Sequence, residues 1–157
     1  MTSRIPNIFN KNKSKNKKTF ISYLVCGDPS KDITLSAMHT MSKSGVDIIE
    51  LGIPFTDPIA DGPTIQKSID RSLKNNTSLH DVISVVKEFR KDNNDTAIVL
   101  MGYMNPVHKM GVAKFAKQIN DTGIDGVLIV DSPPEESVML NKYPVSYTHL
   151  TLPTKEG

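Results

Sequence analysis

Glu50 closes a short apolar run, Asp47–Leu51, and opens a loop crowded with residues of restricted or special geometry: Gly52, Pro54, Thr56, Asp57, Pro58, Asp61, Gly62 and Pro63. A carboxyl group at an apolar strand end is costly unless it is paired or used. Burial also raises its pKa towards neutrality, where one group can both give and take a proton. Glu50 is therefore the candidate acid and base. Asp61 precedes Gly62-Pro63, a pair that suits the start of a helix because proline fits the first turn. It is either that helix's cap or a second carboxylate facing the same mouth. Asp57, before Pro58, has the composition of a turn.

Such groups need elements to hold them. Four apolar runs, Phe20–Cys26, Asp47–Leu51, Ala97–Met101 and Gly126–Val130, are too short for helix cores and rich in β-branched residues, the pattern of strands buried on both faces. Helical spacing lies between them. Ile33, Ala37, Met38 and Met41 form one stripe behind a capping Ser30; Leu79, Ile83, Val86 and Phe89 form a second; Val112, Phe115, Ala116 and Ile119 form a third. Alternating strands and helices predict βα units on a parallel sheet. Ser44–Pro54 and Thr122–Pro133 also resemble one another, each running helix end, glycine turn, aspartate, strand and proline-bearing loop. Strand carboxyl ends face the active site in such folds, which places Glu50 at the mouth. Four units are about half of an eight-stranded barrel, and no Gly-x-Gly-x-x-Gly turn follows the first strand to indicate a dinucleotide-binding open sheet.

The 157 residues fit one domain of ordinary size, and a net charge of +2 gives no reason to expect nucleic acid or a membrane surface as partner. Lys11, Lys13, Lys15, Lys17 and Lys18 lack interleaved aromatic residues and read as a solvated arm. One cysteine, Cys26, forms no internal disulfide and reads as buried and inert. With no apolar run long enough for a signal peptide or membrane span, the expected location is cytoplasmic. His39 and His80 have no metal-ligand spacing and read as surface residues; His108 and Asp131 lie near the mouth without a defined role, so no metal is expected.

The Glu50–Gln66 segment closely resembles the signature of the tryptophan synthase alpha subunit family: Glu-Leu-Gly, hydrophobic-Pro-Phe, Thr-Asp-Pro, hydrophobic-Ala-Asp-Gly-Pro and Ile-Gln. Leu24–Pro29, Met101–Pro106, Gly123–Asp131 and Pro134–Ser137 are similar to the family in the same order, so the likeness runs from about residue 5 to about residue 141. The resemblance implies an α/β fold of the (β/α)8 TIM barrel class, with about the first four βα units present. It implies retro-aldol cleavage of indole-3-glycerol phosphate to indole and glyceraldehyde 3-phosphate. Glu50 then matches the catalytic glutamate and Asp61 the second carboxylate, with Tyr103, Tyr23 and Met101 at the substrate. Pro54, Asp57 and Ile59 fall on a loop that meets a beta subunit in an alpha2beta2 assembly. No cofactor is implied for this chain; pyridoxal phosphate is expected only in the beta partner.

The likeness ends near residue 142. Residues 1–142 read as the N-terminal half of the barrel and 143–157 as a tail outside the family pattern. Val145–Thr154 back-translates to a string resembling a sequencing-library adapter, which makes the tail an expected artefact, and the genomic locus decides it. The family's lid and phosphate-binding loops come later, so these residues alone are expected to be inactive. Two alternatives stand beside this reading. One is indole-glycerol-phosphate synthase or another sugar-phosphate barrel, but the strands carry no lysine of the kind such an enzyme uses. The other is a non-catalytic subunit that only activates its partner, which the presence of both Glu50 and Asp61 opposes.

Overall fold

The computed structural model describes residues 3–132 and the backbone of 146–149. Helix α1 (Ile5–Ser14) precedes strand β1 (Ile21–Val25), followed by α2 (Lys31–Lys43), β2 (Ile48–Gly52), α3 (Pro63–Lys74) and α4 (Leu79–Phe89). Then come β3 (Ala97–Gly102), α5 (Met104–Met110), α6 (Val112–Thr122), β4 (Gly126–Ile129) and β5 (Ser146–His149). The sheet is parallel and its spatial order is its chain order, β1-β2-β3-β4-β5. A doubly wound sheet reverses direction part-way; this progression does not, and it is the course of a barrel wall.

Strand periodicity sorts the side chains. Ile49, Leu51, Ile98, Leu100, Val127 and Ile129 point outward into one apolar core shared with Met38 of α2, Val82, Val86 and Phe89 of α4, Val107 of α5, and Phe115 and Ile119 of α6. The opposite face carries Tyr23, Glu50, Val99 and Gly126 in one register row and Val25, Gly52, Met101 and Leu128 in the next. Helix α1 lies at the lower end of this inner face, where Ile5 and Phe9 border Ile21 and Ile48.

The four predicted strands form within a residue or so of their expected bounds. Ser30 caps α2 by accepting the Ile33 N–H at 3.2 Å, and Ser78 and Asp81 make a reciprocal capping box at α4. Three details depart from the sequence reading. Ile33 is 53% exposed and Thr34 turns inward instead, because the inward arc of α2 is offset by one residue. The lysine run includes helix: Lys11 and Lys13 ride on α1, and only from Lys15 onward does the chain leave it. His39 is not simply a surface residue, since its ring lies 4.9 Å from that of Phe89. A fifth strand adds to the four: Ser146–His149, in the segment read as the tail, pairs its backbone with the open edge of β4. The Pro134–Ser137 motif lies outside the described residues.

Candidate active site

Glu50 sits in the middle of β2 on the inner face, beside Tyr23 on one side and Val99 on the other. It is half-buried, and that burial raises its carboxyl pKa. Gly52 explains part of the local sequence: a Cβ there would lie 2.3 Å from the Tyr23 hydroxyl, so only glycine leaves the phenol room next to Glu50. Burial raises the Tyr23 phenol above its ordinary pKa, and the charges of Asp61 and Glu50 add to the effect. Both carboxyl groups therefore lie within electrostatic reach of one phenol.

Asp61 is not the helix cap. Gly62 occupies the N-cap of α3 without a side-chain bond, and Pro63 takes the first turn as predicted. The Asp61 carboxylate instead accepts the Tyr103 hydroxyl at 2.7 Å, while that hydroxyl accepts the Ala60 N–H at 3.0 Å. Tyr103 is 2% exposed and stacks 5.1 Å from Phe55. Its pKa is pushed up to about 12, first by burial and then by the Asp61 hydrogen bond. One buried phenol thus ties the loop after β2 to the end of β3. Asp131 adds a second tie by accepting the Met104 N–H at 2.7 Å, just beyond Tyr103. Met101 is half-buried on the inner face, level with Gly52.

The same loop faces outward at its tip. Thr56 donates to the Asp57 carboxylate at 2.6 Å and the Ile59 N–H reaches the Asp57 carbonyl at 2.9 Å, so Asp57 does form a turn. Ile59 is 86% exposed. Pro54 is buried, and with Phe55 and Thr56 it lines one wall of a groove of about 560 Å³ whose other wall includes Asn105, Pro106 and Met110. The groove contains neither Glu50 nor Asp61.

Cys26 is fully buried in the core and its thiol is pushed up to about 12 by burial, which removes it as a nucleophile near neutral pH. Among the described residues no three His, Cys, Asp or Glu side chains are placed to hold a metal ion, and no helix is long and apolar enough to cross a membrane.

A family model described as "Tryptophan synthase alpha chain" matches residues 9–155. The chain belongs to the tryptophan synthase alpha chain family. The alpha chain of Nitrosomonas europaea is 49% identical over 141 residues, covering 90% of this chain and 51% of that relative. The structure of tryptophan synthase subunit alpha from Legionella pneumophila superposes with a TM-score of 0.89 at 40% identity, over 94% of this chain and 58% of that one. A tryptophan synthase complex from Pyrococcus furiosus gives 0.76 at 41% identity, over 82% of this chain and 55% of that one. The chain thus spans about half the length of the alpha-chain relatives it matches. Its α/β architecture is the corresponding part of the alpha chain's TIM barrel.

Against the alpha-chain signature, the structure brings Glu50, Tyr23, Asp61 and Tyr103 together and leaves Asp57 and Ile59 at the loop tip. The sequence reading missed Ala60, whose N–H anchors the Tyr103 hydroxyl, and no side-chain signal marks a backbone donor. It also missed Asp125, which accepts the Ile98 N–H and pairs with Arg90.

A raised pKa has a stability counterpart. Glu50 holds its proton to higher pH in the folded chain than in the unfolded one. Between those two pKa values the folded state binds more protons, so stability falls as pH rises through the folded value. At any pH above the unfolded value this shift is a net cost to the fold. Glu50→Gln is accordingly expected to raise the thermal midpoint at pH 7. The gain should vanish at a pH below both values, where Glu50 is neutral in either state. Melting curves at the two pH values check this, and an equal gain at both would contradict it.

Proposed function

We propose that this chain supplies the catalytic carboxylates of a tryptophan synthase alpha reaction, the cleavage of indole-3-glycerol phosphate to indole and glyceraldehyde 3-phosphate. The observation that carries the reading is Glu50: a carboxyl group with its pKa raised by burial, beside Tyr23, on the inner face of an alpha-chain barrel wall. In the proposed sequence protonated Glu50 gives its proton to carbon 3 of the indole. The C–C bond to the side chain then breaks as the adjacent hydroxyl loses its proton to the carboxylate just formed, so one group acts as acid and then as base. Asp61, held by the Tyr103 hydroxyl, accepts the indole N–H and stabilises the positive charge on the protonated ring. Tyr23 and Met101 border the ring from β1 and β3. Indole-3-glycerol phosphate is recognised jointly with later barrel loops, which supply the phosphate contacts.

This acid–base sequence calls on carboxyl groups of the chain itself, and pyridoxal phosphate belongs to the beta partner. Pro54, Asp57 and Ile59 are proposed to meet that partner in an alpha2beta2 assembly. The exposure of Ile59 and the apolar groove beside Pro54 support such a contact.

Two assays test the reading. A barrel completed with the C-terminal half of the Nitrosomonas europaea relative is expected to release indole from indole-3-glycerol phosphate, and the 157 residues alone are expected to release none. Failure of a folded, completed barrel under conditions where the relative is active would refute the proposed activity. An indole-forming rate from the 157 residues close to the relative's would refute the dependence on later loops.

A further inference from the structure

Helix α3 is attached differently from its neighbours. Helices α2, α4, α5 and α6 all contribute to the continuous apolar core, whereas α3 contributes no residue to it. It buries Ile69 and Ser72, and beside them runs a polar row. Ser68, Arg71, Ser72 and Asn75, spaced as one face of a helix, all reach back to the loop that follows β1. Ser68 donates to the Asp28 carboxylate, and Arg71 makes two parallel bonds to it, Nε to Oδ1 and Nη2 to Oδ2, each 2.7 Å. Ser72 donates to the Cys26 carbonyl at 2.6 Å and Asn75 to the Gly27 carbonyl at 3.3 Å. Gly27 has φ +86°, and a Cβ there would lie 2.1 Å from Thr77 Oγ1, so the loop backbone is pressed against the end of the same helix.

The other end of α3 begins at Asp61. Gln66, in the first turns, donates to the Asp61 carbonyl at 2.8 Å, and the Asp61 carboxylate receives Tyr103. A continuous path therefore runs from Asp28 through Arg71 and α3 to Asp61 and Tyr103. Asp28 itself stands just past the end of β1, the strand that carries Tyr23. We infer that the Asp28–Arg71 clasp is a positioning device, fixing Asp61 relative to the inner face of β1 and β2. Arg71 is half exposed, and ion pairs this open to solvent add little to global stability. A fork-on-carboxylate pair does fix direction, because both partners are planar and bidentate. The clasp holds the Asp28 carboxyl below its ordinary pKa, as a formed pair should. The consequence for chemistry rests on the role proposed for Asp61, but the bond under test does not.

The test uses the 157-residue chain labelled at tyrosine 13Cζ, whose shift reports the hydrogen bond a phenol donates. The Tyr103 signal is assigned by its loss in Tyr103→Phe. In Arg71→Gln and in Asp28→Asn that signal is expected to move towards the free-phenol position, and the double variant should move it no further. Hydrogen exchange of the Ala60 amide should speed up about tenfold or more while Leu100 and Val127 in the sheet keep their protection. Arg71→Lys should restore only part of both, since an ammonium group cannot make two parallel bonds. An unmoved Tyr103 signal in both single variants would overturn the inference. So would a loss of protection spread evenly over β3 and β4, because the pair would then act on overall stability and not on Asp61.

Discussion

Replacing Glu50 with glutamine in a barrel completed from a family member is expected to lower the rate of indole release by roughly 10²–10⁴-fold, the usual range for loss of a positioned acid–base group. The side chains are close in shape, so packing beside Tyr23 and Val99 should survive. The Michaelis constant should therefore change little, and the loss should appear in kcat. Two roles fall together in this variant, since the amide neither protonates carbon 3 nor takes up the hydroxyl proton. The raised pKa of Glu50 adds a pH signature in the parent: activity needs the protonated form at the start and should decline as pH rises through the folded pKa. Steady-state kinetics across pH provide the check. A glutamine variant that kept its rate would move the proton transfer to another group. A variant that lost cleavage but still activated a beta partner would separate catalysis from docking and disfavour the reading of a purely activating subunit.

Much of the site was legible because its residues break the local pattern. A glutamate inside an apolar strand and a loop holding several prolines, glycines and aspartates announce themselves in a sequence whose other strands are plain. Tyr103 was legible only through resemblance, since nothing in its neighbours says that its hydroxyl reaches Asp61 at 2.7 Å. The choice between cap and site for Asp61 was likewise open from spacing, and only the resemblance pointed to the site. Both need an aspartate before Gly-Pro, and only the position of Tyr103, 42 residues away, separates them. Helix α3 does carry an apolar stripe, Ile65, Ile69 and Leu73, of which Ile69 is buried; what spacing could not reveal is that Ser68, Arg71, Ser72 and Asn75 bond to the loop after β1.

The internal repeat held more than strand positions. In its first copy Asp47 accepts the Phe20 N–H at 2.9 Å; in its second Asp125 accepts the Ile98 N–H at 2.9 Å. Each aspartate thus closes the start of the preceding strand against its own. The repeated aspartate was the available signal for this role, and long-range arginine partners were the part no spacing could reveal.

Those partners make Asp125 the residue whose loss should harm the fold most. Its side chain is 1% exposed and bridges Arg90 at 2.8 Å and Arg4 at 3.0 Å, while also accepting the Arg4 and Ile98 backbone N–H groups. Arg90 is 8% exposed, and its pKa is lowered to about 10 by burial and by the like charge of Arg4. Asp125→Ala would leave two guanidinium groups without a counter-charge and the Ile98 N–H without its side-chain acceptor. Removing one member of a buried ionic group costs about 3–5 kcal/mol, set against about 5–15 kcal/mol for a whole domain. The substitution is therefore expected to remove much of the chain's stability in urea titrations. Asp125→Asn should cost less, because its oxygen can still accept from Ile98. Arg4→Met should cost less again, because Arg90 keeps its carboxylate. Arg4 also holds the start of α1, so Asp125→Ala should expose Lys11–Lys18 to trypsin before the sheet opens. Equal stability of Asp125→Ala and the parent would mean that water replaces the carboxylate and that the remaining contacts of Arg4, Ile5, Phe9 and Asn12 suffice to hold α1.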